Sequence, residues 1–423
     1  MCLFGILVIV GTLLSMLRTP MSQWNTLWAE DGAVFLDAAL AGSPWALFEP
    51  YAGYMHLVPR LVISVCALFP LEIVPVVVTI AAALVLSLTA AACYLFLETR
   101  IRSRPLQLLS WAVVIVAPMA GGEVANNLAN LHWFLMIGAV CALIARSRGR
   151  GFAVVQSVVV IAAVGSDPLA LMFLPLVAIR WFALRGRGDR AVAIAFGAAA
   201  VVQLGVTLAG YVMGAGRSFA GLTPTIPELL DFYSYRIVLS GLIGPTAALD
   251  ASRWIGVTLP GVVVLAIFTF MILVSWHEVG PRYVVLTLSA SSAIFFAIVF
   301  RLQWNGVGPA GTLGFTFGQR YAVLPAVLFL IAMIVAVDAF TRVRGRISKV
   351  VAIIAVSAVV LIPAARDYRW AVPRVDAVTW PEALDDGIDQ CDAGSRSVEI
   401  PIAPVGFGGP TLECDLLTGV DTR

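Results

Sequence analysis

Charge is what this sequence has least of. Asp, Glu, Lys and Arg make up 12% of 423 residues, against 60% hydrophobic residues, and a soluble globular domain carries roughly twice that charged share. With a mean hydropathy of +0.95, an ordinary soluble domain is excluded. Lysine is nearly missing: Lys349 stands alone among 27 basic residues, which reflects gene composition more than mechanism. The arginines are scattered through short loops and the formal net charge is +2, so no basic face exists for a nucleic acid. No C-x-x-C pair or Cys/His cluster marks a metal site. Cys2, Cys66, Cys93 and Cys141 fall in or beside apolar runs, where cysteine serves as a small hydrophobe. The N-terminus lacks a basic leader and a small-residue cleavage pattern, so it reads as an uncleaved first span.

What is there is a series of apolar runs. A span needs roughly 20 apolar residues, and the sequence predicts spans near 3–17, 74–97, 106–121, 128–145, 152–166, 169–184, 191–213, 254–275, 283–300, 321–340 and 350–364. The expected fold is therefore an all-α polytopic membrane protein of about 11 transmembrane helices over residues 1–364. With this assignment the arginine-rich loops (Arg100/Arg102/Arg104, Arg146/Arg148/Arg150, Arg185/Arg187/Arg190, Arg282 and Arg342/Arg344/Arg346/Lys349) all share one side, which the positive-inside bias makes cytoplasmic. The expected location is the plasma membrane, with the N-terminus inside and the C-terminus outside. The apolar stretch 57–70 is too short to span and is bracketed by Pro59 and Pro70, so it is expected as a re-entrant or interfacial helix.

The larger connections fall outside: the first loop (18–73), 213–253, 301–320 and the tail. From 365 to 423 the composition turns polar, predicting a small α+β extracytoplasmic domain. It should hold one helix from about Pro381 and two short strands, Ser397–Ile402 and Thr411–Leu416. In an oxidising compartment Cys391 and Cys414 can close a disulfide between that helix and the last strand.

Ionisable groups are rare enough that a loop concentrating them beside a bilayer is the first place to look for chemistry. Residues 28–60, WAEDGAVFLDAALAGSPWALFEPYAGYMHLVPR, hold the adjacent carboxylates Glu30 and Asp31, the aromatics Trp28, Trp45, Tyr51 and Tyr54, and His56 and Arg60. Val34, Phe35, Ala38 and Ala39 predict an amphipathic helix stopping at Gly42, and a second is expected from Ser43–Pro44. The carboxylates then sit at a helix N-terminus, which favours the ionised form. Six arginines (Arg60, Arg217, Arg236, Arg253, Arg301 and Arg320) lie outside against the charge bias. Most are read as reaching for lipid headgroups. Arg320-Tyr321 opens a span directly after the flexible run at 306–319, and Arg60 shares the acidic loop, so these are the phosphate-binding candidates. A third cluster, at 121–136, carries Glu123, Asn126, Asn127, Asn130 and His132, with Asn127 and Asn130 placed to face one cavity. Asp167-Pro168 has the form of a helix cap.

The segment W-A-E-D-G, followed by Y-x-G-Y and P-R, resembles the first outer loop of bacterial GT-C glycosyltransferases, including arabinofuranosyl- and mannosyltransferases of cell-envelope assembly. The order of a first span, an acidic outer loop, some ten further spans and a small outer domain is similar to that class over most of the chain. The resemblance implies inverting transfer of a sugar from a polyprenyl-phosphate donor to an envelope glycan or lipid acceptor on the outer face. It carries the base onto Asp31, with Glu30 next. Arg320, Tyr321 and Arg60 would hold the donor phosphate. Trp28, Tyr51, Tyr54, His56, Asn127, Asn130 and His132 would hold sugar and acceptor. Some members hold a divalent cation on such an acidic pair, and this sequence leaves the metal open. The alternatives are a transporter or flippase for a polyprenyl-linked substrate, or a non-catalytic scaffold of envelope assembly.

Overall fold

The computed structural model describes residues 2–43, 45–215, 223–255, 258–303, 319–369, 374 and 376–419. Arg217 and most of the run before Arg320 lie outside the described residues. A helix occurs at each predicted apolar segment: Cys2–Arg18, Val74–Leu97, Arg104–Val116, Leu131–Ile144, Arg150–Ser166, Pro168–Leu184, Arg187–Val212, Thr258–Ser275, Val279–Gln303, Arg320–Arg342 and Arg346–Arg366. Among the described residues five helices are long and apolar enough to cross a membrane: Leu71–Leu97, Arg187–Val212, Val279–Gln303, Arg320–Arg342 and Arg346–Arg366. The others are shorter.

The Arg320–Arg342 helix is the axis of the bundle. Val323 to Ala332 are buried without a break, as expected of a helix that is apolar on every side. Its 23 residues reach roughly 35 Å at ~1.5 Å per residue, so its two ends serve different faces. Around Arg342 gather the arginine-rich loops: its Nη2 donates to the Arg100 carbonyl at 2.7 Å, and Arg102 pairs with Glu278 at 3.5 Å. Around Arg320 gather the first loop, the 121–132 turn and Asp167. Among the described residues, the loops at 98–107, 148 and 278–281 gather at the Arg342 end, and 30–56, 129–133 and 167–169 at the Arg320 end.

Two buried guanidinium groups finish helices that would otherwise leave carbonyls bare. Arg18 donates to the carbonyls of Ile115 (2.6 Å) and Ala117 (3.0 Å) at the end of Arg104–Val116. Arg180 donates to Ala142, Leu143 and Ala145 at the end of Leu131–Ile144, and pairs with Asp189 at 2.9 Å. A cation at a helix C-terminus is favoured by the dipole, and each guanidinium supplies the donors those end carbonyls would otherwise lack.

The first loop departs from its expected secondary structure in one place. Its first helix runs through Asp31–Leu36 and Asp37–Leu40 and stops at Gly42, whose φ is +69°. The second helix expected from Ser43–Pro44 does not form. Residues 45–48 are turns, with Ala46 bonded to Ser43 and Phe48 to Trp45, and Pro44 lies outside the described residues. Trp45 points outward, 73% exposed. Residues 57–66 do form a short helix, Leu57–Cys66.

The tail is α+β as expected. Thr379 and Glu382 form a capping box at the head of the Trp380–Asp392 helix. Strands Ser397–Glu399 and Thr411–Glu413 pair antiparallel, with Val398 opposite Leu412. Both strands are shorter than predicted: the first ends at Glu399, before Pro401, and the second gives way at once to a helix, Cys414–Thr418. Cys391 and Cys414 are bonded. Closing a loop with 23 residues of separation stabilises by about 3 kcal/mol on chain entropy. Replacing both cysteines by serine should therefore raise amide exchange across 397–413 while leaving the apolar helices protected; equal exchange in both proteins would refute this.

The tail lies on the first loop. The Ala403 N–H donates to the Leu27 carbonyl at 3.0 Å, and its own carbonyl accepts from Ala29. Buried Trp380 bonds Asn25 and Leu71, and the Thr411 N–H donates to Asp37 at 2.9 Å. Ile402 packs so close to Gly32 that a Cβ there would sit 2.8 Å from its Cδ1. The tail thus holds the acidic loop from behind.

Candidate functional site

At the Arg320 end a cavity of about 430 Å³ opens between the first loop and the helix ends. Glu30 enters it from the first loop, followed by Tyr51, Tyr54 and His56. Asn130, His132 and Trp133 come from the head of the Leu131–Ile144 helix, and Arg320 and Tyr321 from the head of the axial helix. The remaining lining is largely apolar: Pro168, Leu169, Val299, Leu302 and the exposed Tyr211, with Thr207 among them.

Arg320 is held in place by Glu123. One carboxylate oxygen accepts the Arg320 backbone N–H at 3.0 Å and the other lies 3.8 Å from its guanidinium. The guanidinium also stands 5.2 Å from the Tyr321 ring centre. Glu30 is close enough to add to the attraction. Tyr321 is braced edge-on by Trp133 at 5.5 Å, and the Tyr54 and His56 rings lie 4.2 Å apart. Asp167 does two things: one oxygen caps the next turn through Leu169 N–H at 2.7 Å, and the other lies 3.3 Å from His132 Nε2. The sequence reading saw only the cap. The pairing with a residue 35 positions earlier has no sequence signal.

The acidic pair is split. Asp31 does not line the cavity; it is 1% exposed, and both oxygens are taken, accepting Leu128 N–H and Ala129 N–H at 2.8 Å each. Arg374 grips the same turn from the other side, donating to Asn126 at 3.2 Å while lying 5.7 Å from the Trp28 ring. Burial pushes the Asp31 carboxyl up to about 7, opposed by the two N–H bonds and Arg374. Burial lowers Arg374 to about 10, with Asp31 opposing. A cation shared by Glu30 and Asp31 does not fit this arrangement, since Asp31 has no oxygen facing its neighbour's cavity. Among the described residues no group of three or more His, Cys, Asp or Glu side chains is placed to hold a metal.

Three more sequence candidates stand off the cavity. Trp28 is buried against Ala403, because its segment pairs with the tail. Arg60 is buried with its guanidinium 5.4 Å from the Phe35 ring, on the inner face of its helix. Asn127 donates to the Glu123 carbonyl at 2.6 Å and accepts from Asn130, so it shapes the turn that aims its neighbour. Glu30, Tyr51, Tyr54, His56, Asn130, His132, Arg320 and Tyr321 do converge.

Asp31→Asn should cost about 1–3 kcal/mol, because an amide NH₂ would face a backbone N–H donor in a dry site. The pH dependence follows from the raised carboxyl. Between its ordinary value of 3.8 and about 7 the folded chain keeps a proton that the unfolded chain has released. Stability from this residue therefore falls as pH rises through that window and is level above it. Melting temperatures of both proteins from pH 4 to 8 check the sign: the variant should be less stable and should lose that slope.

Compared with known protein families and with curated proteins, the chain finds no match in either.

Proposed function

We propose that this chain is a membrane-embedded inverting glycosyltransferase of GT-C type, moving a sugar from a polyprenyl-phosphate donor to an envelope glycan or lipid acceptor. The observation that carries the reading is one cavity lined by a carboxylate, a carboxylate-braced arginine, aromatic rings and several apolar side chains together. On this reading all eleven apolar helices cross the plasma membrane. The arginine-rich end faces the cytoplasm, and the cavity and tail face outward.

Each group then has a chemical task. The acceptor hydroxyl attacks the anomeric carbon and passes its proton to Glu30, the base in this scheme. The bond from that carbon to the phosphate oxygen breaks, and its electron pair leaves with the phosphate. Arg320 meets that charge with a guanidinium fork. Tyr51, Tyr54 and His56 offer faces and polar tips to the flat, amphipathic sugars. The Leu169–Val299–Leu302 wall suits the first units of a lipid chain. Glu30 takes the role that the sequence resemblance gave first to Asp31, whose oxygens are occupied.

The test is transfer by the purified chain in lipid bilayers, offered pentosyl and hexosyl polyprenyl phosphates together with envelope acceptors. Sugar should appear on an acceptor with inverted anomeric configuration. Absence of transfer from every donor, in a preparation shown to be folded, would sink the reading.

A further inference from the structure

The axial helix has a second opening at its far end. A polar basin of about 800 Å³ lies there between three loops and the end of the axial helix, roughly 35 Å from the cavity by helix rise. Its carboxylates are few and divided. Glu278 is shared by Arg342 and Arg102, and Glu98 by Arg104 at 3.3 Å and Arg148 at 3.7 Å. Asp338, beneath, is committed to Arg342 at 2.6 Å and to the backbone N–H groups of Arg102 and Ser103. Arg100 lines the basin too and spends Nη2 on the Ile144 carbonyl. Positive charge therefore exceeds negative across a concave surface, and the arginines that supply the excess, Arg102, Arg104 and Arg148, keep half or more of their side chains exposed.

The rim is apolar. Val279 forms part of the wall and is 72% exposed, and Trp276 is exposed beside it with Arg282 4.7 Å from its ring. Arginines at the end of a bilayer-length helix, with an exposed aromatic and an exposed aliphatic side chain near them in the loop, match a membrane–water interface. We propose that this basin is a binding site for the headgroup of an anionic glycerophospholipid. The phosphodiester would lie among Arg102, Arg104 and Arg148, and the acyl chains along Val279 and Trp276. Basic pockets between spans take acidic headgroups in this way, and the guanidinium fork matches two phosphate oxygens at once. A free phosphate satisfies the guanidinium groups equally well but leaves the apolar rim without a role. This inference rests on the membrane reading, not on glycosyl transfer, and it can fail without touching the cavity.

The experiment uses the full chain in nanodiscs of phosphatidylcholine, with and without phosphatidylglycerol. It compares wild type with an R102A/R104A/R148A variant and counts lipids retained in native mass spectra. Wild type should keep phosphatidylglycerol over phosphatidylcholine. The variant should hold it on the order of a hundredfold more weakly, three basic groups each contributing the interfacial value. Melting in pure phosphatidylcholine should match wild type; if the triple variant does not fold, Arg148→Ala alone should weaken retention about fivefold. Retention unchanged in the variant, or no preference in wild type, overturns the proposal. Inorganic phosphate that displaces the lipid fully at equal concentration also overturns it, in favour of a soluble phosphate.

Discussion

Glu30→Gln should lower transfer by roughly 10²–10⁴-fold, the range that a positioned base contributes, while leaving donor binding and melting temperature unchanged. Glu30 is half-buried on the cavity wall and none of its side-chain atoms braces the fold through a hydrogen bond or ion pair among the described residues. Gln keeps its size and removes the carboxylate that takes the acceptor's proton, together with its small share of the attraction on Arg320. The comparison with Asp31→Asn is what makes the result decisive. That variant is expected to lose activity as well, but through the turn at 125–130 that its two N–H bonds hold. The loss should therefore come with a lower melting temperature. If Glu30→Gln transfers sugar at the wild-type rate, the base lies elsewhere, and the pair His132–Asp167, 3.3 Å apart in the same cavity, is next to test.

Arg320→Gln is the second large effect. A positioned donor to a developing oxyanion is worth about 10²–10³ in kcat, and Arg320 is the cation that Glu123 aims into the cavity. Arg320→Lys should recover only part of the loss, because an ammonium group cannot present two parallel N–H donors to a phosphate. Glu123→Gln should fall between, since it loosens the guanidinium without removing it. Initial rates across donor concentration separate the outcomes: loss in kcat places Arg320 at the leaving group, loss confined to KM makes it a binding residue only. An unchanged kcat/KM in Arg320→Gln would remove the phosphate from that end of the cavity altogether.

Helix positions were legible because an apolar run of span length can do little else in lipid than bond its own backbone, and a helix lies at each such run. Arginine also grouped the loops at 98–107, 148, 278–281 and 342, which line one basin. Local chemistry also showed in the Thr379–Glu382 capping box, the stop at Gly42, and the two tail cysteines, which do bond. The short helix expected from Ser43 was not legible, because a cap and a proline only permit a helix. With Trp45 turned outward there is no apolar face to bury.

The site divides along the same line. Sequence alone placed a carboxylate pair, aromatics and an arginine at one end of the bundle, because their scarcity in an apolar chain makes each one conspicuous. Which of two adjacent carboxylates meets the cavity was decided by tertiary structure. Side chains one residue apart on a helix point about 100° apart, so packing the first loop against the 125–130 turn and the tail buries Asp31 and leaves Glu30 on the wall. The same holds for Trp28, Arg60 and Asn127, whose partners (Ala403, Phe35 and Glu123) are fixed by contacts between segments distant in the chain or by the turn of a helix, which composition does not encode.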